Sequence, residues 1–172
     1  MSNLVKNILV PLDGSDLAIQ ALPYAEEIAM GSNAKLILLQ VVETRKSLVA
    51  VPNTGGVTNA GTIVSSVGIG TISSLGEEIV HIQAMDQAKQ NMDSLATSLH
   101  YRRVQAESDI DTGDPAMRII DYAANNAIDL IVMSTHGRTG MNRWAYGSVA
   151  TKVLQAAPCP VLIVRPTAPS MN

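Results

Sequence analysis

A chain of 172 residues that is 47% hydrophobic and carries a formal net charge of -3 can bury one substantial core, but two full domains would be cramped. Twelve Lys and Arg against fifteen Asp and Glu, with no basic run, leave no electrostatic footprint for nucleic acid or for an anionic membrane. The single cysteine, Cys159, cannot form an internal disulfide; no apolar stretch approaches the ~18 residues of a bilayer span, and Met1 to Lys6 lack a secretory signal, so a soluble, cytoplasmic protein is expected.

Apolar runs of strand length recur at Leu4 to Leu12, Lys35 to Val42, Arg103 to Glu107, Leu130 to Met133 and Val161 to Val164, with helical patterns between most of them. That alternation predicts βα units around a parallel sheet covered on both faces. The first helix follows Ser15 as N-cap, with Asp16 in the first turn and Ala18, Ala21, Leu22, Ala25 and Ile28 facing inward. Gly31 is its expected stop, and Pro23, which costs about 3 kcal/mol inside a helix, predicts a kink.

Between the second strand and the next helix lies a long connection, Arg45 to Gly76, with six glycines, many Ser and Thr, and only Arg45 and Lys46 as charges. It reads as an insertion at about 45–76 in a single domain spanning 1–172, dispensable for the core fold. From Glu77 to His100, Met85, Ala88, Met92, Leu95 and Leu99 fall on one helical face. Asp114 and Pro115 supply an N-cap and a first-turn proline for a third helix that turns Ala116, Ile119, Ile120 and Ala123 inward. A fourth helix is expected from Ser148 to before Pro158.

The stretch richest in chemistry runs from Met133 and Ser134 to Ser148, leaving an apolar strand and entering an alanine-rich helix. Its glycines let backbone N–H groups close on a ligand, and Gly147-Ser148 at a helix start adds unpaired amides, the positive end of the helix dipole and a hydroxyl. Arg138 can add charge. The other reading is a glycine-rich turn that binds nothing. Asp13, in Pro11-Leu12-Asp13-Gly14-Ser15 at the carboxyl end of the first strand, either accepts hydrogen bonds from ribose hydroxyls or caps its own turn.

Val10 to Ser15, Ser134 to Ser148 and the tail to Pro166 closely resemble the universal stress protein family. Its ATP-binding members carry G-x2-G-x9-G-[ST]; here Gly137, nine residues and Gly147-Ser148 match the second half, and Ser134 replaces the first glycine. The resemblance implies a five-stranded, mostly parallel sheet of order 3-2-1-4-5 with helices on both faces. It also implies ATP, with Mg2+ or Mn2+ on its phosphates, at Asp13 for the ribose, backbone at Val41 for the adenine, and Gly137, Gly147, Ser148 and Val149 for the phosphates. Pro11, Leu12, Met133, Ser134, His136, Arg138 and Gly140 would line the pocket. A homodimer through the edge strand Val161 to Val164 is implied as well.

Rival motifs are poor. Gly68-Ile69-Gly70 lacks the third glycine of a dinucleotide fingerprint, since Ser73 stands there, and there is no phosphate-binding G-x4-G-K-[ST] loop. Ser32-Asn33-Ala34-Lys35 fits S-x-x-K without its companion motifs. His81, His100 and His136 show no metal-ligand spacing, and Cys159 reads as a small buried residue. The expected function is therefore nucleotide-dependent sensing in a stress response, with an unknown downstream protein as partner. The alternatives are a slow ATP hydrolase and a dimeric interaction module that has lost its nucleotide.

Overall fold

The computed structural model describes residues 4–43, 67–135 and 147–165; over 67–78 it describes a helical backbone and no side chains. The strands are β1 (Asn7–Leu12), β2 (Lys35–Val42), β3 (Ala106–Thr112), β4 (Leu130–Ser134) and β5 (Val161–Val164), and the helices α1 (Asp16–Ile19), α2 (Leu22–Ser32), α3 (Val67–Tyr101), α4 (Pro115–Asn125) and α5 (Ser148–Ala156). The sheet runs β3-β2-β1-β4-β5 and every pairing is parallel, which is the expected order.

Alternation along the strands sorts the core into two layers. Ile8, Val10, Leu12, Leu36, Leu38, Val132 and Val164 face Ala21, Leu22 and Ala25 near the start of α2 and Met92, Ala96 and Leu99 of α3. Leu9, Ile37, Leu39, Ile131 and Met133 face Ala116, Ile119 and Ala123 of α4 and Ala150 and Val153 of α5. Ile8, Leu9, Leu36, Leu38 and Leu39 are wholly inaccessible; each such side chain contributes roughly 1.5 to 3 kcal/mol, so the β1–β2 centre anchors the domain.

Four local expectations change. Pro23 does not kink one helix: α1 ends at Ile19, and α2 starts anew with Pro23 in its first turn, where a missing N–H costs little. α2 runs through Gly31 and stops at Asn33, which adopts the left-handed conformation (φ 53°) that asparagine tolerates. α3 begins at Val67, not Glu77, so 67–76 of the expected insertion are helical; the remainder, 45–66, lies outside the described residues. The third strand is Ala106–Thr112, not Arg103 to Glu107: Arg103 forms a left-handed turn (φ 65°), and the strand alternates Ala106, Ser108 and Ile110 with Glu107, Asp109 and Asp111.

Candidate functional site

β2 and β3 lie to one side of β1, β4 and β5 to the other, so the order reverses between β1 and β4, where parallel α/β sheets open a crevice at their carboxyl ends. The shared ladder pairs Ile8 with Leu130 and Leu9 with Ile131, while β1 runs on to Leu12 and β4 to Ser134.

At the end of β1, Pro11 and Leu12 are buried and Asp13 is half-buried. Asp13 Oδ1 accepts the Ser15 N–H at 3.0 Å, Gly14 takes φ 78°, and Ser15 Oγ accepts the Ala18 N–H at 3.1 Å to start α1. The capping reading of Asp13 is thus realised, and it fixes the carboxylate at the strand end. At the neighbouring end of β2, the Lys35 N–H donates to the Lys6 carbonyl and the Leu36 N–H to the Gln105 carbonyl, so odd-numbered residues turn their backbone toward β1. Val41 therefore presents N–H and C=O on the β1 side, just past the Leu12–Gln40 pair that closes the ladder. Gln40, on the opposite face, was not foreseen: its Oε1 is buried with no partner among the described residues.

Across the reversal, Met133 and Ser134 end β4 and are buried, as is Thr135. Thr135 joins three elements. Its N–H donates to the Val164 carbonyl at 3.0 Å, and its carbonyl accepts the Gly147 N–H at 2.8 Å. A Cβ on Gly147 would stand 2.9 Å from that carbonyl, so glycine is required by the approach of α5 to the strand end. Sequence reasoning assigned Gly147 to ligand space and overlooked Thr135, whose only signal was its place next to Ser134. Gly147 is the N-cap of α5 and has no side chain to cap with; the Ser148 and Val149 amides of the first turn have no acceptor within the helix.

Leu9, Met133, Val41 and Val149 all pack in the layer facing α4 and α5, so the strand ends and the α5 terminus converge on one face. Ser134 shares the parity of Val132 and Val164, which pack in the opposite layer, so its side chain projects away from α5. His136, Gly137, Arg138 and Gly140 lie outside the described residues.

This donor set fits a phosphorylated ligand: amides at a helix start, a carboxylate at the adjacent strand end, and a turned-in backbone on the far side. Among the described residues no group of three or more His, Cys, Asp or Glu is placed to hold a metal. Burial and Asp129 push the Cys159 thiol up, away from reactivity. An open groove of about 420 Å³ lined by Gln20, Pro23, Tyr24, Glu27, Val164 and Arg165 lies at the α2–β5 margin, on the other layer from α5. No helix among the described residues is long and apolar enough to cross a membrane.

The chain matches the Universal stress protein family over residues 5–58 and 62–165. It is 31% identical over 163 residues to universal stress protein MJ0531 of Methanocaldococcus jannaschii, covering 95% of this chain and 84% of that one. Among solved structures, protein MJ0577 of the same archaeon superposes with a TM-score of 0.74 at 24% identity, covering 96% and 99% of the two chains. A universal stress protein in complex with cAMP gives 0.56 at 21% identity (95% and 98%), and an Arabidopsis thaliana family member with AMP bound gives 0.58 at 18% (97% and 95%); at these identities the likeness is one of fold.

Proposed function

This chain belongs to the universal stress protein family, and from that premise we propose that it binds ATP, with Mg2+ or Mn2+ carried on the phosphates, and acts as a nucleotide-dependent regulator in the cytoplasm. The observation that carries the reading is the α5 terminus: a glycine N-cap seated on Thr135 points first-turn amides at the margin where Asp13 is fixed. In this assignment Asp13 takes the ribose hydroxyls, Val41 backbone reads the adenine edge, and Gly147, Ser148 and Val149 take the phosphates. Pro11, Leu12, Met133 and Ser134 wall the pocket, and His136, Gly137, Arg138 and Gly140 close it. The turn of the Ser134 side chain away from α5 supports retention of the site despite the lost family glycine, and adenine nucleotides on two proteins of the same fold support the ligand class. We assign no catalytic residue and read a sensor.

Titration calorimetry with Mg2+ present is the test. ATP is expected to bind at least tenfold more tightly than GTP, about 1.4 kcal/mol. Equal affinities would remove the adenine assignment, and absence of binding would remove the function.

The same reading includes a homodimer through β5. Its residues are Val, Leu, Ile and Val, Leu162 is 36% exposed, and ladder parity turns the Val161 and Ile163 backbone outward. Pro160 faces β4 through its carbonyl, so its missing N–H leaves the outer edge intact. Ile163→Lys or Ile163→Pro is expected to yield monomer in sedimentation; a monomeric wild type at tens of micromolar would end the dimer reading.

A further inference from the structure

The opposite edge of the sheet is built differently. In β3 the Gln105 carbonyl accepts from Leu36 and the Gly113 N–H donates to the Val42 carbonyl, so odd-numbered residues face β2, and Ala106, Ser108, Ile110 and Thr112 turn their amides away from the sheet. Three of those four amides end on side chains of the chain itself. Ala106 N–H donates to His100 Nε2 at 3.2 Å, Ile110 N–H to Asp109 Oδ1 at 2.8 Å, and Thr112 N–H to Asp111 Oδ1 at 2.7 Å. The hydroxyl of the fourth residue, Ser108, donates to Asp93 Oδ1.

The two carboxylate caps are held in place from α4. Arg118 gives Asp111 two hydrogen bonds, Nε to Oδ2 at 2.7 Å and Nη2 to Oδ1 at 2.9 Å. Tyr122 hydrogen-bonds Asp109, and burial first, then the Asp109 charge, push its phenol up to about 12, so the donor keeps its proton at neutral pH. An incoming strand must supply carbonyls to outward amides. Here three of the four amides already have acceptors, and the carboxylates of β3 are themselves engaged, Glu107 with Lys35 at 2.8 Å and Asp111 with Arg118.

We propose that β3 is a closed edge, on which an imidazole and two carboxylates of the chain occupy three of the four outward ladder donors, so that neither a second copy nor an extended peptide adds a strand there. β5 has no side-chain donor or acceptor with which to do the same. Head-to-tail growth of a sheet needs two open edges, whereas one open edge closes at a two-fold pair. The closed edge stands whether or not β5 pairs, because it rests on β3 geometry alone.

The test uses the full chain with His100→Leu and Asp109→Val together, leaving Asp111 to Arg118. Sedimentation is expected to show at least a doubling of weight-average mass over wild type at equal concentration, while Asp109→Asn, which keeps a carbonyl acceptor, keeps the wild-type mass. A folded double variant that stays at wild-type mass overturns the proposal, as does an Asp109→Asn protein that assembles like the double variant. Amide exchange on the wild-type protein decides the matter even if the double variant does not fold. The Ala106, Ile110 and Thr112 amides are expected to exchange at least about tenfold more slowly than the Ser108 amide, and equal rates overturn the closed edge.

Discussion

α4 and α5 start at the same margin of the sheet and pack in the same layer, yet their first turns are completed in opposite ways. Asp114 caps α4: its Oδ1 accepts the Met117 N–H at 3.0 Å, Pro115 removes one donor, and Lys152 reaches Oδ2 from α5 at 3.3 Å. The Met117 amide, and after it Lys152, hold the Asp114 carboxyl below its usual range. α5 begins on Gly147, which offers its dipole and first amides no anion of its own. A helix terminus is therefore not a site by default. Where the chain supplies a carboxylate, as at α4, the terminus is closed; at α5 it supplies a glycine seated on a strand end, and the proposed nucleotide site rests on that difference.

The largest expected effect comes from disturbing that seat. Gly147→Val puts a Cβ within 2.9 Å of the Thr135 carbonyl and strains the 2.8 Å Gly147–Thr135 bond. From the sequence this change would simply fill phosphate space; the geometry makes the chain's own backbone the obstacle. Both readouts should move: a loss of roughly 1 to 3 kcal/mol in urea unfolding, of the size seen for overpacking, and ATP affinity at least about a hundredfold lower. Full stability with lost binding would return Gly147 to the ligand-facing role, and unchanged affinity would take α5 out of the site.

Exchanging the two designs is a finer probe. Ser148→Asp gives α5 a carboxylate of its own in the first turn, as Asp16 gives α1, and it should gain a few tenths of a kcal/mol from the dipole while ATP affinity falls about tenfold or more. Asp114→Ala strips the α4 cap and should cost about 1 kcal/mol, with ATP affinity changed less than twofold. If Asp114→Ala weakens ATP binding as much as Ser148→Asp does, the two termini are not functionally distinct.

The same contrast explains what could be read from the sequence. Asp114-Pro115 announced α4 because a side-chain cap and a first-turn proline leave a residue pattern, and the apolar runs of the central strands marked a parallel sheet, whose order was implied by the family resemblance and not by the runs. Asp13 was legible as a strand-end carboxylate, although not which of its two roles the turn would realise. The Gly147–Thr135 seat left no pattern, since it is a backbone-to-backbone contact between residues twelve apart in the chain whose side chains play no part. β3 was misplaced for a related reason: as an edge strand it buries Ala106 and partly buries Ile110 in one layer and carries Glu107, Asp109 and Asp111 in the other, so no apolar run marks it. The true end of α2 hid in the left-handed Asn33, where Gly31 had offered the more usual stop.

The smallest expected effect is in acid. Asp114 at the carboxyl margin and Asp129 at the opposite margin both cap backbone amides; Asp129 Oδ2 accepts the Lys6 and Asn7 N–H groups at 2.8 and 2.9 Å. The Asn7 amide, followed by that of Lys6, lowers the Asp129 carboxyl, as Met117 lowers Asp114. A carboxylate whose folded pKa is depressed stabilises the fold fully above its unfolded value, about 3.9 for aspartate, and that contribution is lost as pH falls through the folded value. Stability should therefore hold from pH 7 to about 5 and decline below about 4. Solvent screening keeps the Asp114 share small, because its side chain is 49% exposed. Urea unfolding of wild type, Asp114→Ala and Asp129→Ala at pH 7, 5, 4 and 3 separates the two margins. Each variant should start lower at pH 7 and lose less than wild type between pH 5 and 3, while only changes at the α5 terminus alter ATP affinity at pH 7. An acid decline as steep in both variants as in wild type would mean that these caps are not what the carboxylates contribute, and the contrast between a closed α4 and an open α5 would lose its electrostatic basis.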